Sequence, residues 1–401
     1  MRSGAKSLPV PVPTEEHCPP SLGVFLMNDS FEIGGSERQF STLAISLDRS
    51  AFRVSIGCIQ KKGAFLDCLS DEGFGDVPTF PLGGSLYKLE SWKTRARLAR
   101  YLRQNAIDIA HAFDFYTNLT LIPAARWARV PVVIGSQRQL GDLLTRGQFR
   151  TQLFALHFAD AVVCNSQAAA DGLCVAGLPR HKTVVIRNGM PPEVFAPAEP
   201  AIARVPSILR IGMIARMNTR SKNHGSLLRA FAQLRKEMPN IELLLAGDGP
   251  FRADLEQEAQ ELGIAPTVRF LGDCRDVPAV LASLDVSVLP SISESLSNSI
   301  IESMAQGIPV VAARVGGNME LVSEGRGTLV PVGDESALAR ALARLLRDEA
   351  LRKSMGTNAR SFACEHFTID KMRQQHEELY LRLLERKRSR RKSSGIQEGA
   401  P

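Results

Sequence analysis

The sequence predicts an α/β protein built from two doubly wound domains that face each other across a cleft. A chain of 401 residues is long enough for two ordinary domains. Segments with strand and helix patterns alternate along it, which favours parallel sheets with crossover helices. Five prolines cluster between residues 191 and 206 and interrupt the alternation, which indicates an interdomain linker. Because open α/β sheets bind ligands at the carboxyl ends of their strands, we expect a binding site in the cleft.

The first domain is expected over residues 21–190. An apolar run at residues 22–27 predicts its first strand, and a glycine-bearing loop follows. The next helix is predicted from apolar residues at helical spacing, namely Phe40, Leu43, Ala44 and Leu47. Further strands are predicted at residues 53–58, 107–113, 130–135, 161–164 and 183–186. Residues 94–103 predict a basic amphipathic helix, which we interpret as a crossover helix with a charged outer face rather than as a membrane-docking surface.

The second domain is expected over residues 207–367. Strands are predicted at residues 208–214, 241–246, 268–271, 286–289 and 310–312. The helix between the first two is predicted from the spacing of Leu227, Ala230, Phe231 and Leu234. Residues 368–385 are expected to form a C-terminal helix, and residues 386–401 a basic disordered tail.

Composition is typical of a soluble globular protein, and cysteines that lie inside apolar segments, such as Cys58 and Cys164, favour a reducing cytoplasm. Apolar residues make up 44% and charged residues 23%, and no apolar run approaches the ~18 residues of a membrane span. Residues 1–20 lack the apolar core of a signal peptide and read as a disordered lead-in. The cysteines form no Cys-x-x-Cys pair, so no zinc site is expected.

The positive charge is concentrated near the C-terminus. Residues 386–392 carry six positive charges, and subtracting these from the net charge of +7 leaves +1 for the rest of the chain. No aromatic residue is interleaved, so nucleic acid is not an expected partner. We interpret the segment as solvated, with weak attraction to anionic lipid on the inner face of the plasma membrane.

Two glutamates, Glu294 and Glu302, flank a point where a predicted strand passes through a polar loop into a helix that begins near Ser297. The N–H groups at a helix N-terminus bind anions, and carboxylates beside them can hold hydroxyls. This combination describes a nucleotide-sugar better than ATP. A surface helix with a capping glutamate is the alternative, but the apolar residues after Ser299 predict a buried helix start.

Two further features suit a diphosphate, although each is weak alone. Gly34 and Gly35 follow the first predicted strand, where glycine allows a backbone to approach a ligand closely, but an ordinary tight turn is an equal alternative. Arg216 and Lys222 follow the first strand of the second domain. Because Arg220 lies between them, a solvated basic loop is the simpler interpretation of that pair by itself.

Together these motifs resemble the retaining glycosyltransferases of family 4. The matching runs, in the family's order, are Ile211-Gly-Met-Ile-Ala-Arg216, Lys222-Asn-His, Leu245-Ala-Gly-Asp-Gly-Pro250, Phe270-Leu-Gly-Asp273, Glu294-Ser-Leu-Ser-Asn-Ser-Ile-Ile-Glu302, Gly307-Ile-Pro-Val-Val-Ala312, Gly316-Gly317 and Leu329-Val-Pro-Val-Gly-Asp334. In the first half, Gly34-Gly35-Ser36-Glu37 and Asn188-Gly189 match family positions. The resemblance implies the GT-B fold, which has two Rossmann-like domains, the first for the acceptor and the second for the donor.

The resemblance also implies roles for individual residues. Arg216 and Lys222 would bind the donor diphosphate and stabilise its charge as it leaves. Glu302 would hold the ribose and Glu294 the transferred sugar. The remaining donor contacts would come from Gly35 of the first domain and from backbone N–H groups around Leu296, Ser297 and Asn298. In this fold the C-terminal helix crosses back onto the first domain.

One segment departs from the family pattern. Many members carry a His-x-His type segment at the end of a strand of the first domain, and its second histidine faces the sugar. Here the positions are His111 and Phe113, so either His111 or Asp114 would take the polar role or the register of the motif differs slightly, with a core histidine as an equal alternative for His111. Arg138 ends the next predicted strand, and a solvated loop is at least as good an explanation for it as a place in the cleft.

The expected activity is transfer of a sugar from a nucleoside-diphosphate sugar to a carbohydrate or lipid-linked acceptor, in polysaccharide or glycolipid biosynthesis. No Asp-x-Asp triplet occurs, so no metal cofactor is expected, and the catalytic set is Arg216, Lys222, Glu294 and His111. A sugar-nucleotide epimerase and a non-catalytic nucleotide-sugar-binding module are the alternatives.

Overall fold

The computed structural model describes residues 21–83, 88–142 and 144–395. Over these ranges the chain forms two six-stranded, wholly parallel sheets with helices on their faces, which confirms the predicted fold class. The predicted lead-in at residues 1–20 lies outside the described residues. None of the described helices has the length and apolar character needed to cross a membrane.

The first sheet has the strand order β2-β1-β3-β4-β5-β6. Its strands are β1 (Leu22–Asn28), β2 (Phe52–Cys58), β3 (Ile109–Ala112), β4 (Val132–Gln137), β5 (Ala161–Cys164) and β6 (Thr183–Val185). Its helices are α1 (Gly35–Ser46), α2 (Phe65–Asp71), α3 (Leu89–Gln104), α4 (Phe115–Ala128), α5 (Arg146–His157) and α6 (Gln167–Val175). Helix α3 covers the predicted amphipathic segment and buries Leu98 and Leu102. Arg95 of that helix is also buried, because its guanidinium donates to Leu119 O at 3.2 Å.

The second sheet has the order β12-β11-β10-β7-β8-β9. Its strands are β7 (Leu209–Ile214), β8 (Ile241–Ala246), β9 (Val268–Gly272), β10 (Val286–Leu289), β11 (Val310–Ala313) and β12 (Gly327–Val330). The helices that follow are α7 (His224–Glu237), α8 (Arg252–Glu261), α9 (Val277–Ala282), α10 (Asn298–Ala305), α11 (Asn318–Leu321), α12 (Glu335–Arg347) and α13 (Glu349–His366). Strand β12 lies outside the predicted set, and its sequence Gly-Thr-Leu-Val contains no continuous apolar run.

Each sheet has one point where the strand order reverses, between β1 and β3 in the first sheet and between β7 and β10 in the second. Crossover connections leave in opposite directions on the two sides of such a point, and this opens a crevice at the carboxyl ends of the strands. The Gly34–Gly35 loop follows β1. The loop with Arg216 and Lys222 follows β7, and Glu294 lies after β10. The predicted donor residues therefore lie at the two crevices.

The last helix, α14 (Ile369–Gly395), returns to the first domain. Its apolar residues Met372, Leu379 and Tyr380 belong to the core cluster formed on one face of the first sheet. Beside the linker, Met190 N donates to Phe367 O at 2.7 Å, so the two places where the chain passes between domains lie next to each other.

The structure of the basic segment that begins at residue 386 differs from the prediction. The prediction of a disordered tail from residue 386 is wrong up to Gly395, because α14 continues through that residue. Lys387 pairs with Asp160 of the first domain, with 2.6 Å between Nζ and Oδ1, while Arg386 and Arg388 are exposed. Residues 396–401 lie outside the described part of the chain.

Candidate active site

Lys222 and Glu294 form an ion pair at the crevice of the second sheet. The side chain of Lys222, in a short 3₁₀ turn before α7, brings Nζ to 2.5 Å from Glu294 Oε1. Glu294 is 9% exposed, so this carboxylate is held by a cation in a largely desolvated place. The contact joins the loop after β7 to the loop after β10, as expected for residues on either side of the reversal point.

Arg216 lies at the same crevice but reaches across the cleft. Its Nη1 donates to Ile33 O, which precedes the Gly34–Gly35 loop of the first domain. The guanidinium is exposed, so its charge is accessible from the cleft. Of the two predicted diphosphate ligands, Lys222 thus contacts the Glu294 loop and Arg216 contacts the segment that precedes the glycine loop.

The Glu294 loop depends on two glycines that follow β11. A Cβ atom on Gly316 would lie 1.9 Å from Glu294 O, and one on Gly317 would lie 1.9 Å from Ser295 O. The backbone N–H of Gly317 donates to Glu294 O at 3.2 Å. No side chain fits at these positions, so the glycines allow the loop to pack directly on the backbone of residues 316–317.

Helix α10 begins at this loop and points its N-terminus toward the first domain. Ser297 is its N-cap, with Oγ accepting from Ile300 N at 3.4 Å, as the sequence predicts. Leu296 is buried beneath the loop. Asn298 faces the other domain: its Oδ1 accepts from Asn188 Nδ2 at 2.6 Å, and a Cβ on Gly35 would lie 3.3 Å from its Nδ2. The first turn of α10 and the start of α1 therefore border the same space.

Glu302 lies one turn further along α10 and is 5% exposed. Its Oε1 accepts from Arg38 Nη1 at 2.8 Å, and this ion pair also crosses between the domains. Burial raises the pKa of Glu302, and the charge and hydrogen bond of Arg38 oppose that rise. The two glutamates are thus each matched with one cation, Glu294 with Lys222 and Glu302 with Arg38.

His111 occupies a different environment from the one expected of a catalytic residue. It is fully buried on β3, with Nδ1 at 2.8 Å from the hydroxyl of Tyr380 and Nε2 at 2.9 Å from Ser136 Oγ. Burial is the largest cause of a pKa well below the ordinary value, so the ring is neutral. Both ring nitrogens are engaged, and no surface is open to a substrate. The structure therefore gives His111 a packing role between β3 and α14 in place of the catalytic role suggested by the sequence.

The other candidate at this strand end, Asp114, is also structural. Its Oδ1 accepts from Thr117 N at 2.9 Å and caps α4, and its Oδ2 accepts from Asp29 N at 2.7 Å. Burial raises the pKa of Asp114 to about 7. Phe113 is buried and packs edge-on against Phe40, with ring centroids 5.1 Å apart. Neither Phe113 nor Asp114 supplies a free polar group to the cleft.

Arg138 directly follows β4 and brings a charged side chain next to Phe113 at the end of β3. Its guanidinium lies 5.5 Å from the centroid of the Phe113 ring, and Nη2 donates to Asn188 Oδ1 at 2.6 Å. The contact continues through Asn188 to Asn298, which links the first domain to the start of α10. Burial lowers the pKa of Arg138 to about 10, so it stays charged at neutral pH. Arg138 is half-buried and bonded to Asn188, so the alternative of a solvated loop arginine is wrong.

Sequence reasoning missed two residues of this site. Arg38 directly follows the quoted Gly34-Gly35-Ser36-Glu37 run, and one more position of that motif would have included it. Asn188 belongs to the quoted Asn188-Gly189 pair but received no role. Among the described residues, no group of three His, Cys, Asp or Glu side chains is arranged to hold a metal ion.

Replacing His111 by Ala tests its packing role. We expect the free energy of unfolding to fall by about 2–4 kcal/mol, because a buried ring is lost and the Tyr380 and Ser136 hydroxyls are left without their partner. The turnover of the folded variant, measured below its lowered Tm, should stay within about twofold of wild type, since a hydrogen bond lost far from the reacting atoms leaves the barrier unchanged. A Tm like that of the wild type with a large loss of kcat would restore the catalytic interpretation.

Two family models match this chain, one on each domain. The model described as Glycosyltransferase Family 4 matches residues 33–194, and the one described as Glycosyl transferases group 1 matches residues 208–362. The second match includes Arg216, Lys222, Glu294 and Glu302, and the first includes Gly35 and Arg38.

Individual relatives agree with these models. The chain is 31% identical over 242 residues to the lipopolysaccharide core biosynthesis glycosyltransferase LpsE of Rhizobium meliloti (strain 1021), a match that covers 59% of this chain and 68% of that protein. It is 26% identical over 362 residues to the UDP-Gal:alpha-D-GlcNAc-diphosphoundecaprenol alpha-1,3-galactosyltransferase of Escherichia coli, covering 84% of this chain and 90% of that one. Among solved structures, Anabaena HepE in complex with UDP superposes with a TM-score of 0.77 at 25% identity, over 89% of this chain and 99% of that chain.

Proposed function

Because this chain belongs to glycosyltransferase family 4, we propose that it moves a sugar from a nucleoside-diphosphate sugar to an acceptor hydroxyl and retains the configuration at the anomeric carbon. The observation that carries the proposal is the meeting of two cations, two buried glutamates and a helix N-terminus at the crevice of the second sheet. Cations and N–H dipoles suit a diphosphate, and buried carboxylates suit hydroxyls.

The donor would lie along the second domain with its diphosphate between Arg216 and Lys222. Both cations would stabilise the negative charge that grows on the diphosphate as the bond to the anomeric carbon breaks. The Lys222–Glu294 pair supports this assignment, because it fixes Nζ at the mouth of the crevice and places a carboxylate beside it for the sugar hydroxyls. Glu302 would accept from the ribose, and the N–H groups around Leu296, Ser297 and Asn298 would hold the phosphate or sugar.

We propose a uridine diphosphate sugar as the first donor to test. Anabaena HepE was crystallised with UDP, and the name of the Escherichia coli relative specifies UDP-Gal. A thermal-shift screen against uridine, guanosine and adenosine diphosphate sugars checks this choice. A rise in Tm with the uridine compounds alone is the expected result, because a ligand that binds only the folded state stabilises it.

The acceptor is proposed to be a carbohydrate or a lipid-linked sugar in polysaccharide or glycolipid assembly. The names of both relatives place those proteins in such chemistry. The exposed Arg386 and Arg388 at the end of α14 suit weak, peripheral contact with anionic lipid on the cytoplasmic face of the membrane. Both family models describe transferases, which favours transfer over the epimerase and the binding-module alternatives.

Transfer is tested by product analysis with the donor selected by the screen, with and without candidate acceptors. We expect a new glycoside only when acceptor is present, with the donor's anomeric configuration. We also expect the rate to be unchanged by EDTA, because Arg216 and Lys222 would supply the charge that a metal supplies elsewhere. An isomerised donor formed without acceptor would support the epimerase, and complete loss of turnover in EDTA would contradict the metal-free mechanism.

A further inference from the structure

The ion pair between Arg38 and Glu302 joins residues that are 264 positions apart and belong to different domains. Arg38 lies on α1 of the first domain, and Glu302 lies on α10 of the second. The distance from Arg38 Nη1 to Glu302 Oε1 is 2.8 Å. The arginine side chain is 40% exposed and the glutamate side chain only 6%, so the pair lies at the wall of the cleft with the carboxylate inside.

Arg38 affects Glu302 in two ways: it stabilises the ionised carboxylate, and it fixes the orientation of that group. Burial favours the protonated carboxyl and raises its pKa, while the charge of Arg38 favours the ionised form that accepts hydrogen bonds. A buried carboxylate also needs a partner that fixes its rotamer. The Arg38 guanidinium donates one hydrogen bond to Glu302, at Oε1, and an ionised carboxylate has about four acceptor positions, so capacity remains for hydroxyl groups.

We propose that Arg38 is a positioning residue that reaches across the cleft to hold Glu302 in the orientation that grips the donor ribose. The inference rests on the proposed function, since it takes Glu302 as the ribose ligand. Its consequence is that ribose recognition needs both domains: the second domain supplies the carboxylate, and the first domain supplies the cation that orients it.

A second ion pair between the domains provides a control. It distinguishes positioning of Glu302 from a general contribution to the contact between the domains. Arg187, at the end of the first domain, pairs with Glu320 of α11, with Nη2 and Oε2 3.4 Å apart and side-chain exposures of 34% and 18%. This pair also joins the two domains and has a similar exposed arginine, but it does not touch Glu302. Loss of Arg187 should weaken the contact between domains without changing how the ribose is read.

The experiment compares binding of UDP with binding of 2′-deoxy-UDP and 3′-deoxy-UDP by titration calorimetry, on the full chain. Wild type should lose about tenfold or more in affinity for at least one deoxy compound, because a hydrogen bond to a charged group is removed. In Arg38→Ala and Arg38→Gln the loss should shrink to about threefold or less, since a misplaced Glu302 no longer discriminates. In Arg187→Ala the wild-type ratio should be retained.

The outcomes separate the inference from the function on which it rests. If wild type discriminates and both Arg38 variants keep the wild-type ratio, the positioning role is excluded while the donor site stands. If Arg187→Ala reduces the ratio as much as Arg38→Ala, the effect comes from domain contact in general and the inference is also excluded. GDP and ADP with their deoxy forms are titrated in parallel, and failure of every nucleotide to bind wild type would remove the proposed function itself.

Discussion

Replacing Lys222 by Ala should lower the kcat of sugar transfer by about 100- to 1,000-fold, the usual cost of removing one preorganised group that stabilises charge in a transition state. The reason lies in where Nζ is held. It lies 2.5 Å from Glu294 Oε1 at the point where the sheet order reverses, so it is fixed before the donor arrives. A cation that needs no reorganisation during the reaction stabilises the departing diphosphate most effectively.

Arg220→Ala is a suitable control for this prediction. Arg220 lies two residues earlier in the same loop, is exposed, and stacks on Phe251 at 5.1 Å from the ring centroid, so its loss should leave kcat within about twofold of wild type. Lys222→Arg keeps the charge and should recover part of the rate. The measurement is the initial rate of nucleotide release at saturating donor. A Lys222→Ala variant within about tenfold of wild type would show that the leaving group is stabilised elsewhere.

Replacing Gly317 by Ala should lower kcat/KM by about 100-fold, because misplacing a catalytic group by roughly 1 Å has an effect of that size. The added methyl would lie 1.9 Å from Ser295 O, far inside contact distance, and the atom in the way is backbone. The segment from Glu294 to Ser297 must therefore move, and with it the sugar ligand and the start of α10. Gly317 itself has φ of −68°, so the effect comes from the close approach and not from backbone conformation.

Gly147→Ala provides the comparison for the glycine variant. Gly147 lies in α5 with no atom within 4 Å of its added Cβ, so activity should be unchanged and stability equal or slightly higher. Thermal unfolding should show the Gly317 variant folded, with a moderate drop in Tm. Wild-type kcat/KM for folded Gly317→Ala would mean that the Glu294 loop does not need its present position.

The sequence predicts most of the architecture because strands and crossover helices carry local patterns. Eleven strands are predicted within about two residues of their observed bounds, as is usual for periodic segments. The prediction does not include β12 (Gly327–Val330), because its sequence Gly-Thr-Leu-Val begins with glycine and threonine and so lacks the apolar run that marks four-residue strands such as β5 and β11. The prediction of a disordered tail is wrong because a run of positive charges does not by itself exclude a helix: α14 continues to Gly395, and Lys387 pairs with Asp160.

Within the site, residues that act through backbone or loop motifs were predictable, and residues defined by distant partners were not. Glu294, Glu302 and Lys222 lie in short runs with their own chemistry. His111 resembles a catalytic histidine until Tyr380, 269 positions later, is seen to bond its ring. Arg38 likewise reveals its role only through Glu302. The burial of a side chain and its pairing with a distant residue depend on the packed fold. Neither can be predicted from the neighbouring residues in the sequence alone.

The adjacent crossings of the chain have a mechanical consequence. Residues 189–190 and 367–369 run side by side between the domains, joined by a parallel bridge between Met190 and Thr368. A Cβ on Gly189 would lie 2.9 Å from Ile369 Cα, so the two segments are in backbone contact. Because these two connecting segments are bonded to each other, they restrict sliding and twisting between the domains more than rotation about the line along which they run. We therefore expect any relative movement of the domains to be a rotation about that line, which would keep Arg38 opposite Glu302 and Asn188 opposite Asn298.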